Sequence, residues 1–529
     1  MALFGKLLPT AGALLVAAGS LAAQAPAKPT CDADATKGGL AKVAFSVEQA
    51  RTSQGTPAAA AAMTSSVKQL EALKGEDPTV QALFLGQTLA FWLAQPNMSL
   101  TPRRGTLGFV QNPEAPIDLV ATIDSLFRVV DGAKPACTEL TNAYRGGLPG
   151  YLGLVNGAIA ALNADKLDSA EFLAGKANQL FPASPYGTMV LGSVASKRKD
   201  EASARKYWAI AATAAAKDSL YRDVERQVVG NMGASYLTAA NTASGADRMT
   251  AARGAIEAYT QALTLPGSTP ASIAMLRNNL QSAQLLAGDT AAFVAGYQPL
   301  LASPSAYGYQ DLLNSSVNAA RANRTADAAK LLEGTLVQNP YSRDALFNLA
   351  VEYLALDRND KVAPVVTRLI ALDPGNPENF NLAARAYQAL GRAAQAAKKT
   401  SVAKAYNDTT LAWYTRGNKL PVEVTFSEFS PGEKQLVVGG TVLDRRDKID
   451  ASLSEATPAK GARGKAKKGA EPAVAPKAVT MTIEALDKAG AVLGSQTVTT
   501  EPLTPGKSAK FTATIPSANA VGFRYTLGG

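Results

Sequence analysis

Histidine does not occur once in the 529 residues, which removes the commonest general base, proton shuttle and metal ligand. Every histidine-dependent triad and every histidine zinc site is excluded with it. Carboxylate, Ser/Lys and tyrosine chemistry remain, yet no spacing singles any of it out. The chain has no glycine-rich phosphate loop, no zinc spacing and no nucleophile elbow. A carboxylate pair of the glycosidase kind can be drawn in any chain with 43 acidic residues, so it carries no weight by itself. The densest glycine cluster, Gly146-Gly-Leu-Pro-Gly150, ends one predicted helix and opens the next, and reads as a hinge or cap. No catalytic residue, metal or cofactor is expected.

Two features point to binding and to compartment instead. The chain starts Met1-Ala-Leu-Phe-Gly-Lys6, continues apolar from Leu7 to Ala23 and then turns to small residues, the order of charge, apolar stretch and cleavage site in a secretory signal. The expected signal covers residues 1–25, with a cut after Ala22 or Ala23; the alternative is an ordinary buried N-terminal helix. Its apolar part is short for a membrane anchor, and no later stretch reaches the roughly 18 apolar residues a spanning helix needs. The mature chain is therefore expected to be soluble and exported, to the periplasm or beyond. In an oxidising compartment Cys31 and Cys137 are predicted to form one disulfide, worth roughly 4 to 5 kcal/mol for so long a loop if unstrained. Two free thiols are the alternative.

The second feature is a basic stretch, Lys460-Gly-Ala-Arg463-Gly-Lys465-Ala-Lys467-Lys468, continuing to Pro476-Lys477. It holds six basic residues and one acid, half of the formal net charge of +10. One reading is a contact for an anionic polymer such as envelope glycan, lipid head groups or nucleic acid. The other is a solvated, self-repelling insertion. No aromatics are interleaved for base stacking, which argues against nucleic acid.

The elements that would carry such surfaces repeat. Hydrophobic residues make up 47 % and aromatics only 6 %, so alanine carries much of the apolar count, as suits helices packed closely through small side chains. From about Tyr151 a period near 34 emerges: Pro340 and Pro374, Ala170 and Ala204, and Ala177 and Ala211 are each one period apart. Ala158, Ala170, Ala177 and Pro182 mark one unit, and Gly192, Ala204, Trp208 and Ala211 the next. A third runs through Gly233, Tyr236, Ala255, Tyr259 and Ala262 to Pro266, with about ten extra residues expected in its turn around Asn241–Gly245. Two weaker units end at Pro304 and Pro340; the unit before Pro374 keeps Leu349 and Tyr353 in its first helix but has Val362, Val366 and Leu369 where small or aromatic residues are expected, and a last runs from Pro377 through Tyr387, Gly391, Ala396 and Ala403.

In this register the chain resembles the tetratricopeptide repeat family, whose 34-residue unit is a pair of antiparallel helices. The resemblance covers about half the chain and implies an α-solenoid over residues 151–418. An irregular helical bundle is the alternative. Upstream, residues 26–150 read as helices near 39–51, 58–74, 79–94, 117–130 and 137–145, with a loop from Gln95 to Pro116. From residue 419 to 529 the pattern alternates, as in Val479-Thr-Met481-Thr-Ile483-Glu-Ala485 and Phe511-Thr-Ala513-Thr-Ile515. About six short strands favour a small antiparallel β-sandwich, similar to the immunoglobulin-like domains of bacterial envelope proteins, with the basic stretch as a loop at 451–477.

The expected protein is multidomain, α then β, and non-catalytic. The family resemblance implies a concave face, lined by each unit's first helix, that takes protein or peptide partners. It places Gln227, Arg277, Gln281, Gln284, Asn381, Arg385 and Gln388 on that face. A polymer-binding envelope protein and a carboxylate or Ser/Lys enzyme are the competing classes.

Overall fold

Alanine-rich helical spacing and repeated cap residues make most of this chain helical, and alternating residues make its C-terminal end a small antiparallel β region. The computed structural model describes Cys31, residues 38–449 and residues 475–528; the expected export signal lies outside them. Two bodies are distinguished. One comprises the described residues up to Ala243 with Gly254–Gly267, the other Ser244–Arg253 with everything from Ser268 on.

The first body contains α1 (Gly38–Thr52), α2 (Pro57–Ala72), α3 (Pro78–Leu93), α4 (Leu119–Ala133), α5 (Thr138–Gly146), α6 (Pro149–Asn163), α7 (Leu167–Leu180), α8 (Tyr186–Lys197), α9 (Glu201–Ala215), α10 (Arg222–Thr242) and most of α11 (Gly245–Thr264). Pro57, Pro78 and Pro149 occupy the first helical position, where a missing N–H costs nothing. Asp77, Asp118 and Asp200 accept from the backbone N–H of Thr79, Ala121 and Ser203.

Helices pack mainly against their sequence neighbours, and the small residues show why. A Cβ added to Gly86 would lie 2.6 Å from the ring of Phe127, one on Gly192 2.5 Å from that of Trp208, and one on Gly233 2.7 Å from that of Tyr259. In each hairpin a glycine on one helix makes room for an aromatic ring on the other. Ala158, Ala170, Ala177, Ala204 and Ala211 are fully buried in the same seams. The disulfide joins Cys31 to Cys137.

The segment between α3 and α4 is irregular, as expected, and is tied down by Glu71, whose carboxylate accepts from the backbone N–H of Val110 and Gln111 and from Arg104. The extra residues of the third unit, expected as a long turn, extend both helices instead. Only Ala243 and Ser244 separate α10, of 21 residues, from α11, of 20, because the inserted stretch is alanine-rich and free of proline.

The second body continues with α12 (Pro270–Ala287), α13 (Thr290–Ala302), α14 (Tyr309–Arg321), α15 (Thr325–Gln338), α16 (Arg343–Ala355), α17 (Asn359–Leu372), α18 (Pro377–Ala396) and α19 (Thr400–Asn418). Asn323 and Asp357, one period apart, both take the left-handed conformation at the turn inside their hairpins (φ 58° and 56°).

Six strands follow: β1 (Val422–Pro431), β2 (Gln435–Asp444), β3 (Thr480–Leu486), β4 (Val492–Thr499), β5 (Ser508–Pro516) and β6 (Gly522–Leu527). They form two three-stranded antiparallel sheets, ordered β1-β2-β5 and β4-β3-β6. Val438, Phe511 and Ile515 of the first sheet share one core with Ile483, Phe523 and Tyr525 of the second, while Thr512 and Thr514 are exposed between buried neighbours.

The β region is fastened to the helices before it by a polar junction. The Tyr525 hydroxyl donates to Asp373 Oδ1 at 2.6 Å and accepts from the N–H of Gly375 at 2.8 Å. Arg343 donates to the carbonyls of Leu372 and Phe523, and its guanidinium lies 3.8 Å from the centroid of the Phe523 ring.

Candidate functional site

The helices α12, α14, α16 and α18 open successive hairpins of the second body, and the period between them is visible as contacts. Arg277 on α12 donates to Asp311 on α14, and Gln281 donates to Ser315 Oγ at 3.0 Å; both pairs are 34 residues apart. Asn318 adds a bond to Asn278 Oδ1 at 2.9 Å. Equivalent positions on α12 and α14 therefore face one another across their seam.

This register distributes the residues expected on a binding face unevenly. Gln227 lies on α10, exposed, in the first body, and the other six lie in the second. Gln281 and Gln284 are buried, 1 % and 8 % exposed, so they are not offered to a partner. For Gln281 the reason is the stacking itself, which brings Ser315 of α14 onto it; the Gln284 amide oxygen lies instead beside Gly296 of α13. Arg277 is half-buried, engaged with Asp311 and lying over the ring of Tyr307. Only Asn381, Arg385 and Gln388 share an accessible face, on α18, where Asn381 donates to Glu378. Lys460, Arg463, Lys465, Lys467 and Lys468 lie outside the described residues.

Moving back from Arg385 by one and two periods reaches residues not singled out beforehand, Val351 on α16 and Val317 on α14. They are 38 % and 43 % exposed. Asp344, Phe347, Val351 and Leu354 recur at three- and four-residue steps and line one side of α16. Asp344 and Val351 on that side are exposed, Phe347 and Leu354 half-buried. The exposed valines were legible in principle, because the period that placed Arg385 on the face places them there too.

Two carboxyls in this region are perturbed. Burial pushes Asp344 up although it reaches solvent, with Asp373 adding to the rise and Arg343 opposing it. Burial alone pushes Glu352 up. Glu352 is 9 % exposed, and its side chain has no hydrogen bond or ion pair among the described residues, although its carboxylate oxygens keep a little contact with solvent. By contrast Glu333, on the neighbouring α15, accepts from the Tyr353 hydroxyl at 2.8 Å.

Among the described residues no group of acidic or sulfur side chains is placed to hold a metal, and no helix is long and apolar enough to cross a membrane. The surface of α14, α16 and α18 offers contact chemistry: an apolar row, acids at Asp344 and Glu378, and a cation at Arg385.

No family model and no curated protein matches the sequence. Among solved structures the chain is similar to "MamA MSR-1 C2", at 15 % identity over 37 % of this chain and 97 % of that one, with a TM-score of 0.26. It is similar to the apo form of RapI, at 10 % identity over 72 % and 97 % with a TM-score of 0.31. It is also similar to PilF of Pseudomonas aeruginosa, at 11 % identity over 50 % and 92 % with a TM-score of 0.24. Superpositions this loose carry no weight for fold or function, so what this chain does is read from its own residues.

Proposed function

We propose that the chain is an exported, non-catalytic scaffold, a tetratricopeptide-type α-solenoid followed by a small β-sandwich, which binds protein or peptide partners on the accessible side of its first helices. The observation that supports this reading best is the row Val317, Val351 and Arg385. Apolar side chains one period apart are exposed on successive helices, beside a chain that buries the glycine and alanine positions of its hairpins. Exposed apolar residues in register suit a partner that covers them.

The test is affinity capture from the native cell envelope with the full chain and with a Val317→Glu/Val351→Glu double variant. A partner retained by the wild type and lost by a double variant of unchanged melting temperature supports the reading. If the double variant retains every partner that the wild type retains, binding lies elsewhere.

A further inference from the structure

The seam between α14 and α16 differs from its neighbours. The backbones of α12 and α14 approach closely, as do those of α16 and α18, whereas α14 and α16 stand further apart. The floor of this seam is apolar: Leu313 of α14 joins the core that holds Leu346, Leu349 and Ala350 of α16. Val317 and Val351 stand exposed on its two sides.

Glu352 completes the pattern. It sits one period after Asn318, which crosses its own seam to bond Asn278 on the preceding first helix. By the same register Glu352 faces α14. There the counterpart of Asn278 is Leu312, fully buried and unable to donate. The carboxylate is thus left without a protein partner among the described residues, nine-tenths buried and with only slight solvent contact, a setting where an unpaired charge is costly.

We propose that this seam receives a lysine or arginine side chain from a bound protein segment, its methylene stem against Val317 and Val351 and its charged head on Glu352. Long basic side chains have this division between apolar stem and cationic end. A divalent metal is a poorer occupant, since a single carboxylate cannot hold one and no acid cluster surrounds it among the described residues. The inference rests on the scaffold reading above and deepens it by naming what the partner must present.

The test uses the full chain and a phage-displayed library of random 12-residue peptides. Selected sequences are expected to share one lysine or arginine next to an apolar residue. A synthetic selected peptide is expected to bind the Glu352→Gln variant at least about tenfold more weakly than wild type. Replacing its basic residue by norleucine should remove that difference, as a double-mutant cycle requires. Thermal melts of the variant guard against a folding defect, and Glu352→Asp, which keeps the charge, is expected to fall between the two. Selected peptides without a shared cation, affinities for Glu352→Gln within twofold of wild type, or no selection at all would each overturn the inference. The scaffold reading is tested separately. If the native partner still depends on Val317 and Val351 while Glu352→Gln changes nothing, the seam proposal falls and the scaffold stands; if the double valine variant also keeps its partners, both fall.

Discussion

Glu352 shows how one side chain links binding to stability. Burial pushes its carboxyl above the ordinary 4.5, so the folded chain holds this proton more tightly than the unfolded chain. Its contribution favours the native state below about pH 4.5 and is lost as the pH rises through the elevated value. At neutral pH the protein alone carries a largely buried charge with slight solvent contact and no ion-pair partner among the described residues. Glu352→Gln is therefore expected to raise the melting temperature of the unliganded protein at pH 7.5, by about 2–4 °C for an effect near 1 kcal/mol, and to leave it unchanged at pH 4. Calorimetric melts at the two pH values check this. A variant less stable than wild type at pH 7.5 would mean that the carboxylate has a partner after all. The position was hard to read from residues alone, because a glutamate on a helix looks solvated until the helix beside it is in place. Gln281 and Gln284 misled for the same reason: polar spacing marks one side of α12, and only the placing of α14 against Gln281 and of α13 beside Gln284 reveals that both are covered.

The hairpin was more legible than its surface. Alanines one period apart anticipated that neighbouring helices approach closely, and the glycine-to-ring contacts of Gly86, Gly192 and Gly233 are further instances of that close approach. What spacing could not convey was where inserted residues go, since an alanine-rich insertion satisfies a turn and a longer helix equally until packing decides between them. The contact between α8 and α9 provides a direct test. A methyl group at position 192 would stand 2.5 Å from Trp208 Cδ1, so Gly192→Ala is expected to cost about 1–3 kcal/mol through overpacking, despite the better helix propensity of alanine. Combining it with Trp208→Leu removes the obstructing ring. The double variant should lose clearly less than the sum of the two single losses, measured by denaturant unfolding. Additive losses would mean that Gly192 matters for some reason other than room for the ring.

The two bodies are held by different long-range devices. In the first, the disulfide closes a loop of 106 residues, and reduction is expected to remove roughly 4 to 5 kcal/mol from that body alone. Hydrogen exchange should then rise in α1 to α5 and stay unchanged in β1 to β6; faster exchange in the strands would contradict that confinement.

In the second body the β region has a sizeable core of its own, yet a buried tyrosine, an aspartate and an arginine fasten it to the helices. The alternation of β3 and β5 made the strands legible, but nothing in the residues announced that Tyr525 would reach a carboxylate about 150 positions earlier in the chain. Tyr525→Phe leaves Asp373 Oδ1 and the N–H of Gly375 short of a partner, at a cost of about 1–3 kcal/mol. If the junction makes helices and strands one cooperative unit, that loss speeds exchange in α16 to α18 as much as in β3 to β6. Should the strands alone exchange faster, the β region is an independent module that merely rests against the helices. Alkaline titration provides a second measure. Burial first, and then the nearby charge of Asp373, push the Tyr525 hydroxyl far above the ordinary 10.0. The unfolded chain therefore releases this proton first. Stability from the junction should be intact below pH 10 and fall progressively above it, and Tyr525→Phe should flatten that fall.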